Sequence, residues 1–286
     1  MQSHTPIFAA QAPWPQGVQA CMSQRYGGAS APPFDTFNMG DHVGDDPKHV
    51  QANRQLWAQS TAETPVFLRQ VHGVAVAVLD ASSAQVRTPI EADACWTEQP
   101  GVVCTMMVAD CLPILFAAPD GKSVAAVHAG WRGLAGQVST ASHSIQQPLG
   151  VIESLSMQWP AAATPVDREH MVVWLGPCIG PQAFEVGTEV RDAFMSAAQT
   201  AQDHKAIEEL FVLQPSAVAF DSPKYLANLS GLARWRLQRL GFKRVYGNDG
   251  TVDWCTVANP SRFFSHRRDA VVLASTGRMA AGIWLR

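Results

Sequence analysis

Three residues of the chain, His72, Cys111 and His128, combine two imidazoles with one thiol. Imidazole nitrogen and thiolate sulfur suit zinc or copper better than magnesium or calcium, which take oxygen ligands. His72 stands in Gln70-Val71-His72-Gly73, Cys111 in Ala109-Asp110-Cys111-Leu112-Pro113, and His128 opens His128-Ala129-Gly130-Trp131-Arg132-Gly133. Each lies where an apolar run meets a turn marked by glycine or proline, so a rigid sheet could present all three to one pocket. Their separations match no compact zinc-binding rule. On spacing alone, Cys111 also reads as a small buried apolar residue and both histidines as hydrogen-bonded structural side chains. Cys178, in Gly176-Pro177-Cys178-Ile179-Gly180, is the rival thiol.

The elements that must position these residues are readable in outline. Val66 to Leu68 and Val74 to Leu79 are β-branched, strand-like runs on either side of His72. Val102 to Val108 and Ile114 to Ala118 read as buried strands, with Asp110 and Cys111 in the break between them. Ser123 to His128 is a further strand, leading through the glycine turn to a small-residue helix from Leu134 to Gln146. Residues 26 to 46, rich in Gly, Pro, Asn and Asp, read as a structured loop, followed by a helix after Pro47 with Asp45 or Asp46 as its cap. Val172 to Leu175, Val271 to Ala274 and Met279 to Leu285 read as strands, while Glu185 to Ala198 and Asp221 to Leu240 read as helices. Residues 147 to 169, with three prolines, read as an exposed excursion.

Composition narrows the function classes. Hydrophobic residues make up 47% and charged residues 16%, which predicts a packed globular chain and not a disordered one. The net charge of −3 and the lack of any basic run argue against a nucleic-acid partner. No apolar stretch is long enough to span a bilayer, and residues 1 to 20 lack a signal peptide's basic start, so a cytoplasmic protein with reduced thiols is expected.

A resemblance extends this reading over most of the chain. Its segments are Arg25-Tyr26-Gly27-Gly28-Ala29-Ser30, Phe37-Asn38-Met39-Gly40, His42-Val43-Gly44-Asp45-Asp46, Asn53-Arg54 and Ala92-Asp93-Ala94. With them go the three ligand segments, the Cys178 turn, Cys255-Thr256, Phe263-Phe264-Ser265-His266-Arg267-Arg268-Asp269 and Gly277-Arg278. In this order they resemble the YfiH-type, or laccase-domain, family, whose bacterial members have been called polyphenol oxidase, purine nucleoside phosphorylase and peptidoglycan editing factor. The chain departs from the pattern at Gln24, where threonine is usual, and in a longer 147–169 segment. The resemblance implies an α/β (α+β) fold with mixed β-sheets in layers flanked by helices, like that of the necrotizing-factor toxins. One domain over 1–286 is expected, with 147–169 as an exposed insertion.

The resemblance also implies that His72, Cys111 and His128 hold the metal, zinc first and copper as the alternative. It implies a purine nucleoside phosphorylase that cleaves adenosine, inosine and methylthioadenosine with phosphate and also deaminates adenosine, working as a monomer or homodimer. Cys111, His128 and Asp110 are the expected catalytic residues, with Asp110 orienting a histidine or acting as a base. Arg25, Arg69, Arg132 and Arg267 are expected to bind phosphate through bidentate guanidinium contacts, and Asn38, His42 and His266 to complete the pocket. A copper-dependent polyphenol oxidase is the second reading, although nine histidines without an HxH pair are few for coupled copper sites. A metal-free Cys111–His128 amidase acting on peptidoglycan precursors is the third. A non-catalytic binding module is the fourth.

Overall fold

The structure, a computed structural model, describes residues 6–86, 88–136, 149–215 and 223–286. Strands β1 (Ile7–Ala9) and β2 (Val18–Ser23) precede the loop 26–46, which contains neither strand nor helix. Helix α1 (Pro47–Thr61) starts where the Asp46 carboxylate accepts from the Lys48 N–H, and stops at Ala62 in the left-handed region, φ 56°. Next come β3 (Thr64–Phe67), β4 (Val76–Val78), β5 (Ala94–Thr97), β6 (Val102–Val108), β7 (Leu112–Ala117), β8 (Val124–Ala129) and the short α2 (Trp131–Ala135). They are followed by α3 (Val151–Gln158), α4 (Pro165–His170), β9 (Val172–Leu175), β10 (Glu185–Gly187), α5 (Thr188–Met195), α6 (Ala201–Glu208) and β11 (Phe211–Leu213). The last elements are β12 (Lys224–Ala227), α7 (Leu229–Leu240), β13 (Arg244–Gly247), α8 (His266–Leu273) and β14 (Met279–Leu285).

The strands form three sheets, ordered β1-β2-β14-β6-β3, β13-β9-β7-β8-β5-β4 and β10-β12-β11. The first two are mixed, because β3 runs parallel to β6, β4 to β5 and β13 to β9, while their other pairs are antiparallel. Strands β6, β7 and β8 are apolar at nearly every position and buried along their whole length, as expected of strands covered on both faces. Their alternate residues enter different cores. Ile114, Phe116, Ala125 and Val127 face α3 and α7, whereas Leu115, Ala117, Val124 and Ala126 meet Cys104, Met106 and Ile283 of the five-stranded sheet. Val103, Met107 and Trp284 turn to the opposite side and pack on Trp57 of α1 and Phe37 of the loop. This is the layered, mixed α/β architecture expected from the sequence.

Two connections carry the chain from the five-stranded to the six-stranded sheet: residues 68–75, between β3 and β4, and 109–111, between β6 and β7. The first contains His72 and the second contains Cys111. A sheet crossing brings both residues to the end of β8, where His128 lies opposite Pro113.

Several expected elements differ. The stretch 149–169 is an exposed excursion only in its second half, where residues 163–166 are exposed and α4 buries no side chain; α3 buries Val151, Ile152 and Leu155, and Trp159 behind it is fully enclosed, its indole N–H donating to Ser123 Oγ. The prolines stand at helix starts, Pro160 in a single 3₁₀ turn and Pro165 in the first turn of α4, where a missing N–H costs nothing. Trp159→Ala is therefore expected to lower stability by about 3–5 kcal/mol, measured as the shift of the urea midpoint. Val271 to Leu273 belong to α8, not to a strand. Ser265 caps that helix by accepting from Arg268 N–H, and Val271 and Val272, 84% and 80% exposed, have no sheet to join. The helices expected from Glu185 and Asp221 begin later, at Thr188 and Leu229, because β10 and β12 pair ahead of them. Most of the helix expected over Leu134 to Gln146 lies outside the described residues.

Candidate metal centre

His72 adopts φ 60°, a left-handed conformation uncommon for residues other than glycine. Asp93, just before β5 and fully buried, holds the turn in this conformation. One carboxylate oxygen, Oδ2, accepts from Val71 N–H at 3.1 Å and Gly73 N–H at 2.7 Å, and the other, Oδ1, accepts from His72 N–H at 2.9 Å. Three successive backbone donors thus close around one acid. Gln70 pins the other side of the turn, donating to Met107 O at 2.7 Å and accepting from Met107 N–H at 2.8 Å.

Asp93 Oδ1 also lies 2.8 Å from His128 Nδ1. That bond fixes the ring and leaves Nε2 as the nitrogen available to a metal. Cys111 Sγ is 3.6 Å from His72 Nε2, and the two imidazoles meet edge to face with centroids 4.8 Å apart. Gly130 makes this approach possible, since a Cβ there would stand 2.7 Å from His72 Cδ2 and 3.2 Å from Cys111 Sγ.

The electrostatics favour the thiolate. Burial works to raise the Cys111 pKa, but the adjacent His128 and His72 outweigh it and bring it down to about 6. Burial likewise works to lower the His128 pKa, but the Cys111 charge and the Asp93 hydrogen bond push it up to about 9. Cys178 behaves in the opposite way: burial drives its pKa far up, its sulfur takes a bond from Asn248, and it is a structural thiol.

The three donor atoms lie within 4.8 Å of one another. A tetrahedral ion with metal–nitrogen and metal–sulfur distances of about 2.0 and 2.3 Å holds such ligands roughly 3.6 Å apart. The donor set therefore fits one transition-metal ion with a position to spare. Among the described residues it is the one such cluster of histidine, cysteine and carboxylate groups.

The cluster opens into a cavity of about 440 Å³. Of the residues expected at the site, His42, Asp110, Arg132, His266 and Arg267 line it together with the three donors. Arg25, Arg69 and Asn38 do not. Arg25 is buried in contacts with Asp35 and Asp269, Arg69 pairs with Glu91 on the surface, and Asn38 bridges Gly40, Asp45 and Arg278 N–H. Asp110 lines the cavity at φ 86°, but its carboxylate accepts from Thr256 Oγ1 and from Arg267 N–H at 2.6 Å, fastening the start of α8. Asp93, and not Asp110, orients a histidine. Asp93, Gln70 and Arg278 carry roles that the sequence reading did not assign. The signal for Asp93 was an acid set between alanines directly before a buried strand, and for Arg278 a charge in the same position before another.

Residues 19–286 match a family described as multi-copper polyphenol oxidoreductase laccase. The chain is 41% identical over 281 residues to the purine nucleoside phosphorylase YfiH of Escherichia coli, covering 98% of each. It is 38% identical over 272 residues to a purine nucleoside phosphorylase of Haemophilus influenzae, covering 94% of this chain and 95% of that one. Among solved structures, YlmD from Geobacillus stearothermophilus superposes with a TM-score of 0.81 at 30% identity, covering 100% of this chain and 98% of that one. A Neisseria meningitidis protein gives 0.78 at 37% identity, covering 98% and 99%. No helix among the described residues is long and apolar enough to cross a membrane.

Proposed function

This chain belongs to the YfiH-type, laccase-domain family, and from that membership we propose that it is a zinc-dependent purine nucleoside phosphorylase. Its substrates in this reading are adenosine, inosine and methylthioadenosine with inorganic phosphate, and it also deaminates adenosine. The observation that carries the reading is the His72–Cys111–His128 cluster opening into a cavity that also holds Arg132, Arg267 and Arg278. None of the three guanidinium groups makes a direct ion pair among the described residues, although Asp110 and Cys111 act on Arg278 through space, so the cavity keeps positive charge for an anionic substrate. Trp131, Ile179, Phe184 and Leu229 supply apolar wall for a purine ring. His72, Cys111 and His128 would hold the zinc ion, which would supply Lewis acidity to the reaction. His42 and His266, both in the cavity and exposed, are the side chains available to pass a proton to the departing base.

Phosphorolysis breaks the bond between the purine nitrogen and ribose C1′ and forms one between C1′ and a phosphate oxygen. Phosphate-dependent release of hypoxanthine from inosine, assayed with metal content by mass spectrometry, tests the proposal. One zinc per chain is expected, with release lost on stripping the metal and regained on adding zinc. Release that ignores both phosphate and metal would overturn it.

A second reading has its own observation. Cys111, His128 and Asp93 stand in the order of a cysteine hydrolase, with thiol, imidazole and orienting carboxylate. It predicts an activity that survives chelation and dies on thiol alkylation. The copper oxidase reading finds less support, since coupled copper sites need more donors than this one cluster offers.

A further inference from the structure

Arg278 precedes β14, whose Met279 pairs with Val108 immediately before the Ala109–Cys111 crossing. Its backbone is held on both sides, its N–H donating to Asn38 Oδ1 at 2.8 Å and its carbonyl accepting from Met39 N–H at 2.9 Å. Its side chain is held as well. The stem lies against Gly40, where a Cβ would come within 2.8 Å of Arg278 Cγ. Nη1 donates to the carbonyls of Thr276 and Gly277, at 2.9 and 3.2 Å. Nε and Nη2 have no partner among the described residues.

The negative groups nearest the Arg278 guanidinium, Cys111 and Asp110, act on it through space and neither pairs with it directly, and a half-buried guanidinium without a bonded counter-charge is an unfavourable arrangement unless something fills the gap. Arg25, more buried still, has Asp35 and Asp269, and Arg236 has Glu153. Arg278 has two carbonyls and an open edge on the cavity. Arg132 and Arg267 also line it, but both are exposed, Arg132 over the Trp131 ring and Arg267 donating to Glu185 O. Water can solvate those two.

We propose that Arg278 is the residue that grips inorganic phosphate, two of its N–H groups meeting two phosphate oxygens beside the metal-type cluster. This rests on the phosphorylase reading for the use made of the phosphate, but not for its binding. Rigid placement by β14 and by the carbonyls makes the guanidinium a preformed fork, which a lysine cannot replace.

The test is calorimetric binding of inorganic phosphate to the zinc-loaded protein, with steady-state kinetics in which phosphate and inosine are varied separately. Arg278→Gln is expected to weaken phosphate binding and raise the KM for phosphate by about tenfold or more, with the KM for inosine little changed. Arg278→Lys should fall between the two. Gly40→Ala, which displaces the guanidinium without removing it, should also weaken phosphate, and with Arg278→Lys it decides the matter if the Gln variant does not fold. Phosphate binding that is unchanged in Arg278→Gln and lost in Arg132→Gln would overturn the assignment, as would equal rises in both KM values. A wild-type protein that binds phosphate through Arg278 yet releases no base would defeat the phosphorylase reading and leave this site standing.

Discussion

Cys111→Ala is expected to yield a folded protein that holds no metal and releases no base from inosine. Loss of even an outer contact to a metal ligand costs about 10–100-fold in affinity, and deleting one of three ligands must cost more. The fold should tolerate the change, because Cys111 is only partly buried, in a crossing between sheets at the edge of the core, and alanine keeps its Cβ. Metal content and melting of the metal-free proteins separate the two effects. The pH dependence gives an independent check. Ligation through His128 Nε2 displaces the proton that Cys111 and Asp93 hold there up to about pH 9. Wild-type metal affinity should therefore rise with pH to that point, and the rise should steepen below about 6, where the thiol also carries a proton. His128→Ala should lose metal equally but melt lower, since it leaves buried Asp93 short of one donor. A fully active Cys111→Ala enzyme would sink the site assignment.

The three donors were legible in the sequence as residue types at strand ends, but their convergence was implied only by the family resemblance and by no local pattern. Spacings of 39 and 17 residues become one site only because the chain crosses between two sheets twice at the same end, and crossings leave no local pattern. The fully buried strands β6, β7 and β8 were readable because burial on both faces demands unbroken apolar runs. Val271 to Leu273 misled for the complementary reason, that a β-branched run without a neighbouring strand follows its helix cap instead. The arginines were the least legible. Arg25 and Arg278 look alike in sequence, and what separates them is whether Asp35 and Asp269 or an open cavity lies in front of the guanidinium. Distant parts of the chain decide that.

Asp93→Ala is the second variant with a large expected effect, and it tests the part of the site that sequence reasoning passed over. The carboxylate takes four donors: the N–H groups of residues 71, 72 and 73 and His128 Nδ1. Alanine leaves them without an acceptor, at a cost of about 1–3 kcal/mol for each donor that water cannot reach. The His72 turn then loses the contacts that hold it at φ 60°, and His128 loses the bond that fixes its ring. Metal affinity is expected to fall about 10–100-fold or more, because one acid positions two of the three ligands. Asp93→Asn should be milder for the fold than for the metal, since the amide keeps one acceptor and turns a donor toward the others. Cobalt substitution supplies the readout that a merely structural role would not move. If Asp93 positions both imidazoles, the ligand-field spectrum of the cobalt protein should change in Asp93→Asn at full occupancy. An unaltered spectrum with ordinary metal affinity would mean that Asp93 only braces the turn. Activity that is lost in Asp93→Asn while metal affinity and spectrum stay unchanged would instead favour the thiol–imidazole–carboxylate hydrolase, in which the same acid serves His128 as a base.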